Sequence, residues 1–305
     1  MRPIPPELAT SGPEPKAMRT FNSLKNTLLA VSLTLLATGP TYANGSLTTQ
    51  PQVRSSSALV VDETDFSVLY AQDEDAVLPI ASITKLMTAL VVLEGDQSMD
   101  EKITITEADR DTELNSGSRL NIGSRLTRGE MLHLALMASE NRAAHALGRT
   151  YPGGLDAFIE AMNAKARSIG MTSTSFADPT GLSSRNVSSA RDLVRLVVAA
   201  SRDPLIRHYS TDRQYTARVG KRGLEFHNTN QLVTQPEWDI ALQKTGYTRA
   251  AGRCLVMKTL IQGKSVVIVL LNSLGTQTRI ADVRRIRQWM EAGAEAAQLA
   301  VQSAL

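Results

Sequence analysis

Leu78-Pro79-Ile80-Ala81-Ser82-Ile83-Thr84-Lys85-Leu86-Met87-Thr88-Ala89-Leu90 is the stretch on which the reading of this chain turns. Leu86, Leu90 and Leu93 recur at helical spacing and predict a helix with one face in the core, with Ser82 in its first turn. Lys85 then stands one turn above Ser82 on the same side, within reach of its hydroxyl. The N–H groups of a helix N-terminus are oriented to stabilise an oxyanion beside that hydroxyl. A serine needs a base to become nucleophilic, and a lysine can serve if burial and nearby cations lower its pKa. Taken alone, Ser-x-x-Lys also fits an ordinary N-cap followed by a solvated lysine.

Working outward, apolar runs lie near both ends of the chain. Ser57-Ala58-Leu59-Val60-Val61-Asp62 and Phe66-Ser67-Val68-Leu69-Tyr70-Ala71, separated by Glu63-Thr64-Asp65, read as a hairpin. Residues 252–260 and the run Ser265-Val266-Val267-Ile268-Val269-Leu270-Leu271 flank the turn Gln262-Gly263-Lys264 in the same way. Residues 281 to about 297 read as a closing helix, with Val283, Ile286, Trp289 and Met290 at helical spacing. Strands from both ends must share a sheet to bury these runs. Roughly 80–235 between them reads as mainly helix and loop.

Two more elements change the weight of Ser-x-x-Lys. Thr127-Arg128-Gly129-Glu130 has the capping-box pattern, and Met131, Leu134, Ala135 and Ala138 continue it as a helix ending near Ser139. Ser139-Glu140-Asn141 therefore falls at a helix-to-helix turn, where it also fits plain capping of the next helix. Later, Leu242-Gln243-Lys244-Thr245-Gly246 reads as a strand ending in a glycine that permits close backbone approach, although an edge-strand lysine before a turn fits as well. Ser-x-x-Lys, Ser-x-Asn and Lys-Thr-Gly in this order match, apart from an Asp in the middle element, the set found in class A β-lactamases and penicillin-binding proteins.

The chain resembles the low-molecular-weight penicillin-binding proteins that act as D-alanyl-D-alanine peptidases, most closely their endopeptidase branch. The likeness extends through Ala138-Ser139-Glu140-Asn141-Arg142-Ala143-Ala144, Asp178-Pro179-Thr180-Gly181-Leu182, Asn228-Thr229-Asn230 and Lys244-Thr245-Gly246-Tyr247-Thr248. It implies an α+β, β-lactamase/transpeptidase-like fold: a five-stranded antiparallel sheet flanked by helices, a helical lobe, and a groove between them. It also implies roles by position. Ser82 forms the acyl-enzyme, Lys85 is its base, and Ser139 relays a proton to the leaving amine. Asn141 holds the substrate amide and Lys85, while Lys244 and Thr245 bind the substrate carboxylate at the Gly246 turn. The N–H groups of Ser82 and Tyr247 line the oxyanion hole. The implied substrates are peptidoglycan stems and D-Ala-diaminopimelate cross-links, with β-lactams as covalent inhibitors. Terminal D-Ala-D-Ala and the cross-link both place a carboxylate on the carbon bearing the leaving nitrogen, so one cationic Lys244 can orient either. No cofactor and no metal is needed.

Composition agrees with an exported enzyme of one large domain. The chain has 305 residues, 42% hydrophobic and 21% charged, with a net charge of +3. Residues 1–43 hold four basic and two acidic groups, so the rest is nearly neutral and gives no electrostatic reason to propose nucleic acid as a partner. Arg19 and Lys25 precede an apolar run over 28–37, and Thr41-Tyr42-Ala43 resembles a cleavage site, so export to the periplasm by a cleaved signal peptide is expected. Met18 is a possible true start. The boundaries read are 1–43 extension and signal, 44–54 linker, 55–292 catalytic domain and 293–305 tail. Cys254 is the only cysteine, and its apolar surroundings read as packing rather than a reactive thiol. Only 59 residues follow Gly246, and residues 291–305 lack lysine, arginine and aromatics. Weak or absent membrane association and a preference for cross-links are expected from this.

Several alternatives remain at this point. They are a D-Ala-D-Ala carboxypeptidase, a class A-like β-lactamase and a non-catalytic wall-binding protein. No Glu-x-x-x-Asn element of the β-lactamases stands between residues 150 and 182, and neither Gly-x-Ser-x-Gly nor His-Glu-x-x-His is present.

Overall fold

The computed structural model describes residues 50–275 and 277–303. The signal-peptide reading and the candidate start at Met18 lie outside them. In chain order the elements are β1 (Ser55–Asp62), β2 (Val68–Gln72), β3 (Leu78–Pro79), α1 (Lys85–Glu94), β4 (Lys102–Thr104) and β5 (Arg125–Thr127). There follow α2 (Arg128–Met137), α3 (Asn141–Arg149), α4 (Gly154–Ser168), β6 (Val187–Ser188), α5 (Ala190–Ala200) and α6 (Pro204–Thr211). The chain closes with β7 (Gln214–Val219), β8 (Arg222–His227), β9 (Asp239–Thr248), β10 (Gly252–Ile261), β11 (Lys264–Ser273) and α7 (Thr278–Ser303).

The two apolar ends do share a sheet. Its strand order is β2-β1-β11-β10-β9, antiparallel throughout, and Ser57 pairs with Leu271 while Val61 pairs with Val267. Both faces are covered, which is why these strands read as unbroken apolar runs. Leu59, Val61, Val256, Val267 and Val269 face the helical lobe, packing in one cluster with Ile83, Leu86 and Leu193. Ala58, Val60, Leu255, Met257, Ile268 and Leu270 face the other way, against Ile280, Val283 and Ile286 of α7. Cys254 is fully buried in the first cluster, so it packs as expected.

Buried Asp282 of α7 fixes the start of β1. Its carboxylate accepts from the N–H of Arg54 and of Ser55 and from the Ser55 hydroxyl, at 3.0, 2.8 and 2.6 Å. Pro51 is buried too, so residues 50–54 of the expected linker already lie on the body.

Three expectations need correction. The closing helix spans Thr278–Ser303, since the Ala-rich stretch after residue 291 contains no breaker and continues into the expected tail. The middle of the chain holds a two-stranded hairpin, β7 with β8, whose turn is made by Gly220 at φ 62°. Its alternating Tyr215, Ala217 and Val219 are a strand signal among more polar neighbours. Ser82 lies not in α1 but in a 3₁₀ turn, Ala81–Thr84, that leads into it. Among the described residues no helix is long and apolar enough to cross a membrane.

Candidate active site

The Ser82 turn is gripped by two glycines. A Cβ on Gly246 of β9 would lie 2.9 Å from the Ile80 carbonyl oxygen and 3.1 Å from Ser82 N, and one on Gly181 would lie 1.9 Å from the Ala81 carbonyl oxygen. Bare backbone is what lets β9 and the 178–183 loop press on the serine from two sides. Ala81 itself has φ 47°, a left-handed conformation that non-glycine residues rarely adopt and that the surrounding contacts must hold. Ser82 remains partly exposed, with its N–H against the outer strand of the sheet, one residue from Tyr247.

Lys85 opens α1 and is fully buried. Its Nζ lies 2.8 Å from Ser82 Oγ, 2.8 Å from Asn141 Oδ1 and 2.6 Å from the Thr180 carbonyl oxygen. Two of these neighbours can only accept, whereas the serine hydroxyl can also donate. An ammonium donates to all three oxygens, whereas the neutral amine, with its N–H groups on the two carbonyls, has its lone pair for the Ser82 hydroxyl. Burial holds the lysine down to about 7, against the opposing pull of Asp178 and Glu140. The expectation named cations beside burial as the cause; burial is the cause at Lys85.

The mutual repulsion of the two lysines appears instead at Lys244. This side chain is fully buried on β9 and held well below its ordinary range by burial first, then by Lys85 and Arg279. Lys244 Nζ donates to Ser139 Oγ at 2.9 Å and to the Thr245 carbonyl at 3.0 Å, and the hydroxyls of Thr245 and Thr229 lie 2.6 Å apart. A bound carboxylate is the natural partner for a cation at this point.

Ser139 and Asn141 come from the turn between α2 and α3. The capping box Thr127/Glu130 starts α2 as read, and Ser139 at φ 58° breaks the helix so that its hydroxyl meets Lys244. Asn141 then begins α3, and its amide bridges two groups: Oδ1 accepts from Lys85 while Nδ2 donates to Ser116 Oγ at 2.9 Å. The fold thus brings together Ser82, Lys85 and Asn141 as one hydrogen-bonded group and Ser139, Lys244 and Thr245 as another. Gly246 joins the second group to the Ser82 turn. The side chain of Tyr247 points away from this chemistry: it is 58% exposed beneath the Arg253 guanidinium, so only its backbone faces the serine turn.

Sequence reasoning missed three participants. Thr180 acts through its carbonyl, on a loop folded around the Asp178 carboxylate, which accepts from the N–H groups of Thr180, Gly181 and Ser183. Ser116 sits in a loop with no pattern of its own. Arg279 of α7 donates to the Gly246 and Cys254 carbonyls at 2.9 and 3.1 Å, pinning the end of β9 and adding positive charge near Lys244. Of these, only Asp178-Pro179-Thr180-Gly181 had a readable signal, as part of the family likeness.

A partly exposed serine, a buried lysine with Nζ 2.8 Å from its hydroxyl, and a second buried lysine bonded to Ser139 define an acyl-serine enzyme of the transpeptidase and β-lactamase class. The family model described as D-alanyl-D-alanine carboxypeptidase matches residues 44–275, and the chain belongs to that family of serine D,D-peptidases. The chain is 46% identical over 268 residues to the D-alanyl-D-alanine endopeptidase of Escherichia coli strain K12, covering 87% of this chain and 86% of that protein. It is 44% identical over 273 residues to the D-alanyl-D-alanine endopeptidase of Pseudomonas aeruginosa, covering 89% and 88%. Among solved structures, the Streptomyces K15 DD-transpeptidase superposes with a TM-score of 0.75 at 28% identity, covering 80% of this chain and 99% of that one. The fold is the β-lactamase/transpeptidase-like one that the sequence motifs imply.

Proposed function

We propose that the chain is a penicillin-sensitive D,D-endopeptidase that hydrolyses D-Ala-diaminopimelate cross-links of peptidoglycan through an acyl-enzyme on Ser82. The observation that carries this reading is Lys85, fully buried with Nζ 2.8 Å from the Ser82 hydroxyl and held by two carbonyls. As Ser82 Oγ attacks the D-alanine carbonyl, its proton passes to Lys85 Nζ and the developing oxyanion is met by the N–H groups of Ser82 and Tyr247. The leaving nitrogen takes up the proton that Lys85 gained, relayed through Ser139, which Lys244 holds in place, and Lys85 is neutral again. Lys244 and Thr245 receive the carboxylate beside that nitrogen. Water then cleaves the ester, with Lys85 again as base.

Endopeptidase action is favoured over carboxypeptidase action by relatives of that name at 44–46% identity, against 26–28% for several named carboxypeptidases. The periplasm, reached through a cleaved signal over residues 1–43, with weak or absent membrane attachment, is the matching location. The test has two arms. Fluorescent penicillin labels a single peptide containing Ser82 and fails to label Ser82→Ala. Purified enzyme splits cross-linked stem dimers faster than it releases D-alanine from monomeric pentapeptide. Free D-alanine with dimers left intact would overturn the endopeptidase reading while leaving the serine assignment standing.

A further inference from the structure

Two consecutive carbonyls of the 178–183 loop are turned onto one side of α1. The Pro179 oxygen accepts from Thr88 Oγ1 at 2.7 Å and the Thr180 oxygen from Lys85 Nζ at 2.6 Å. Lys85 and Thr88 are three residues apart on that helix and so share a face, and the loop lies along it.

Asp178 shapes the loop from inside. Its Oδ1 accepts from the N–H groups of Thr180 and Gly181, at 2.6 and 2.8 Å, and from the Thr180 hydroxyl. Its Oδ2 accepts from the Ser183 N–H at 2.9 Å and from Asn186 Nδ2 at 2.8 Å. Asn186 is fully buried and returns the tie, its Oδ1 accepting from the N–H groups of Ala177 and Asp178 at 2.6 and 3.2 Å. The backbone carbonyl of Asn186 accepts from the Ile80 N–H at 3.0 Å, and β6 pairs with β3. The Asp178–Asn186 pair is thereby anchored to the segment that leads into Ser82.

A single peptide unit joins this carboxylate to the lysine. The amide between Thr180 and Gly181 gives its N–H to Asp178 Oδ1 and its oxygen to Lys85 Nζ, so two hydrogen bonds run head to tail through it. Hydrogen bonds in series polarise one another, and an amide whose N–H meets a carboxylate carries more negative charge on its oxygen. Such an oxygen favours an ammonium over an amine. The direct pull of the Asp178 charge has the same sign, and both oppose burial, the largest influence on Lys85. Glu140 pulls the same way from the α2–α3 turn, but its Oε1 is bonded to Ser118 Oγ and the Arg142 N–H, outside this chain of bonds. Lys244 of β9 acts in the opposite direction, since the two lysines repel each other.

We propose that Asp178 is a positioning residue for the base: through the Thr180–Gly181 peptide it aims and polarises the carbonyl that receives Lys85 Nζ. It touches neither substrate nor the reacting atoms. It keeps a buried lysine basic enough to take the Ser82 proton, and Asn186 holds it in place. The proposal rests on Lys85 being the base of Ser82.

The experiment follows penicillin acylation against pH. In Asp178→Asn the inflection, near about 7 in the wild type, moves down by about one pH unit or more, and the plateau above it falls by about tenfold. An inflection that stays in place, whatever the rate, overturns the proposal. Asn163→Ala supplies the comparison for a merely structural loss. Asn163 of α4 pins the approach to the same loop through the Phe176 carbonyl and N–H, at 2.8 and 2.9 Å, so this variant melts earlier with its inflection unmoved. A shift there as large as in Asp178→Asn also overturns the proposal. Should Asp178→Asn fail to fold, the folded chain labelled with ¹⁵N-glycine decides. Its Gly181 amide resonance shifts through an inflection near about 7 that Lys85→Met abolishes, and a stationary Gly181 resonance is the contrary result. A wild-type acylation rate that is flat with pH sinks the base assignment separately, and the Gly181 titration still decides the link from Asp178 to Lys85.

Discussion

At Lys85 an ammonium is removed from water without a carboxylate to meet it, and its acid–base behaviour follows from that. A base that titrates near about 7 predicts that penicillin acylation and dimer cleavage rise with pH through an inflection near that value. A stopped-flow pH series checks it, and a rate flat from pH 5.5 to 8.5 is the contrary result. Lys85→Arg keeps the charge but cannot give up its proton, so acylation should fall by about 10²–10⁴-fold. Stability carries the same signature. Below about 7 folded and unfolded chains both hold the proton and the full burial cost is present; between 7 and the ordinary 10.5 only the unfolded chain holds it, so rising pH favours the fold. Relative to Lys85→Met, the wild type should therefore gain on the order of a few kcal/mol across that interval in urea titrations. Ser82, Lys85, Ser139, Asn141, Lys244 and Thr245 were all legible as residues, because each contributes a side chain in a recurring pattern. Thr180 and Ser116 were not read as participants: one works through a carbonyl, the other through a loop that only the fold brings to Asn141.

The elements matter here chiefly for how closely they approach one another. Gly181 and Gly246 let two backbones reach the serine turn, but they differ in how much room is missing. An alanine at 181 must accept φ 83° and a Cβ 1.9 Å from the Ala81 carbonyl oxygen, while at 246 the nearest atom is 2.9 Å away. Gly181→Ala should therefore cost several kcal/mol and much of the soluble yield. Gly246→Ala should fold with a cost of about 1–3 kcal/mol, yet lose acylation because β9 is pushed off Ser82 N. Thermal melts alongside penicillin labelling separate the two, and full activity in Gly246→Ala would count against the close-approach argument. The terminal hairpins, the capped α2 and the turn holding Ser139 could be read because apolar period and capping residues agree there. The β7–β8 hairpin was missed because its polar face, exposed Arg218, Arg222 and Glu225, dilutes the alternation. The true end of α7 was missed because alanine-rich sequence carries no stop signal.

For the molecule as a whole, Asp282 and Cys254 report on the closing of the sheet. Asp282→Ala strands the N–H groups of Arg54 and Ser55 and leaves the Ser55 hydroxyl only its Ser273 partner, and should lower stability by about 2–4 kcal/mol in urea without moving the active-site pH profile. Cys254, raised to about 11 by burial, should resist thiol reagents at pH 8 in the native state and react at the rate of global unfolding, which makes it a built-in probe. The sheet that buries it joins Ser55 to Ser273 across 218 residues. A ribosome adding about 5–20 residues per second completes β1 roughly 10–40 s before its partner strand exists. Through that interval Ala58-Leu59-Val60-Val61 can pair with β2 on one side but is an apolar strand with its β11 edge bare, a template for pairing with a neighbouring nascent chain. The same delay leaves that edge open until the last strands emerge, so holdase chaperones that cover residues 55–62 are the cellular factors on which yield should depend.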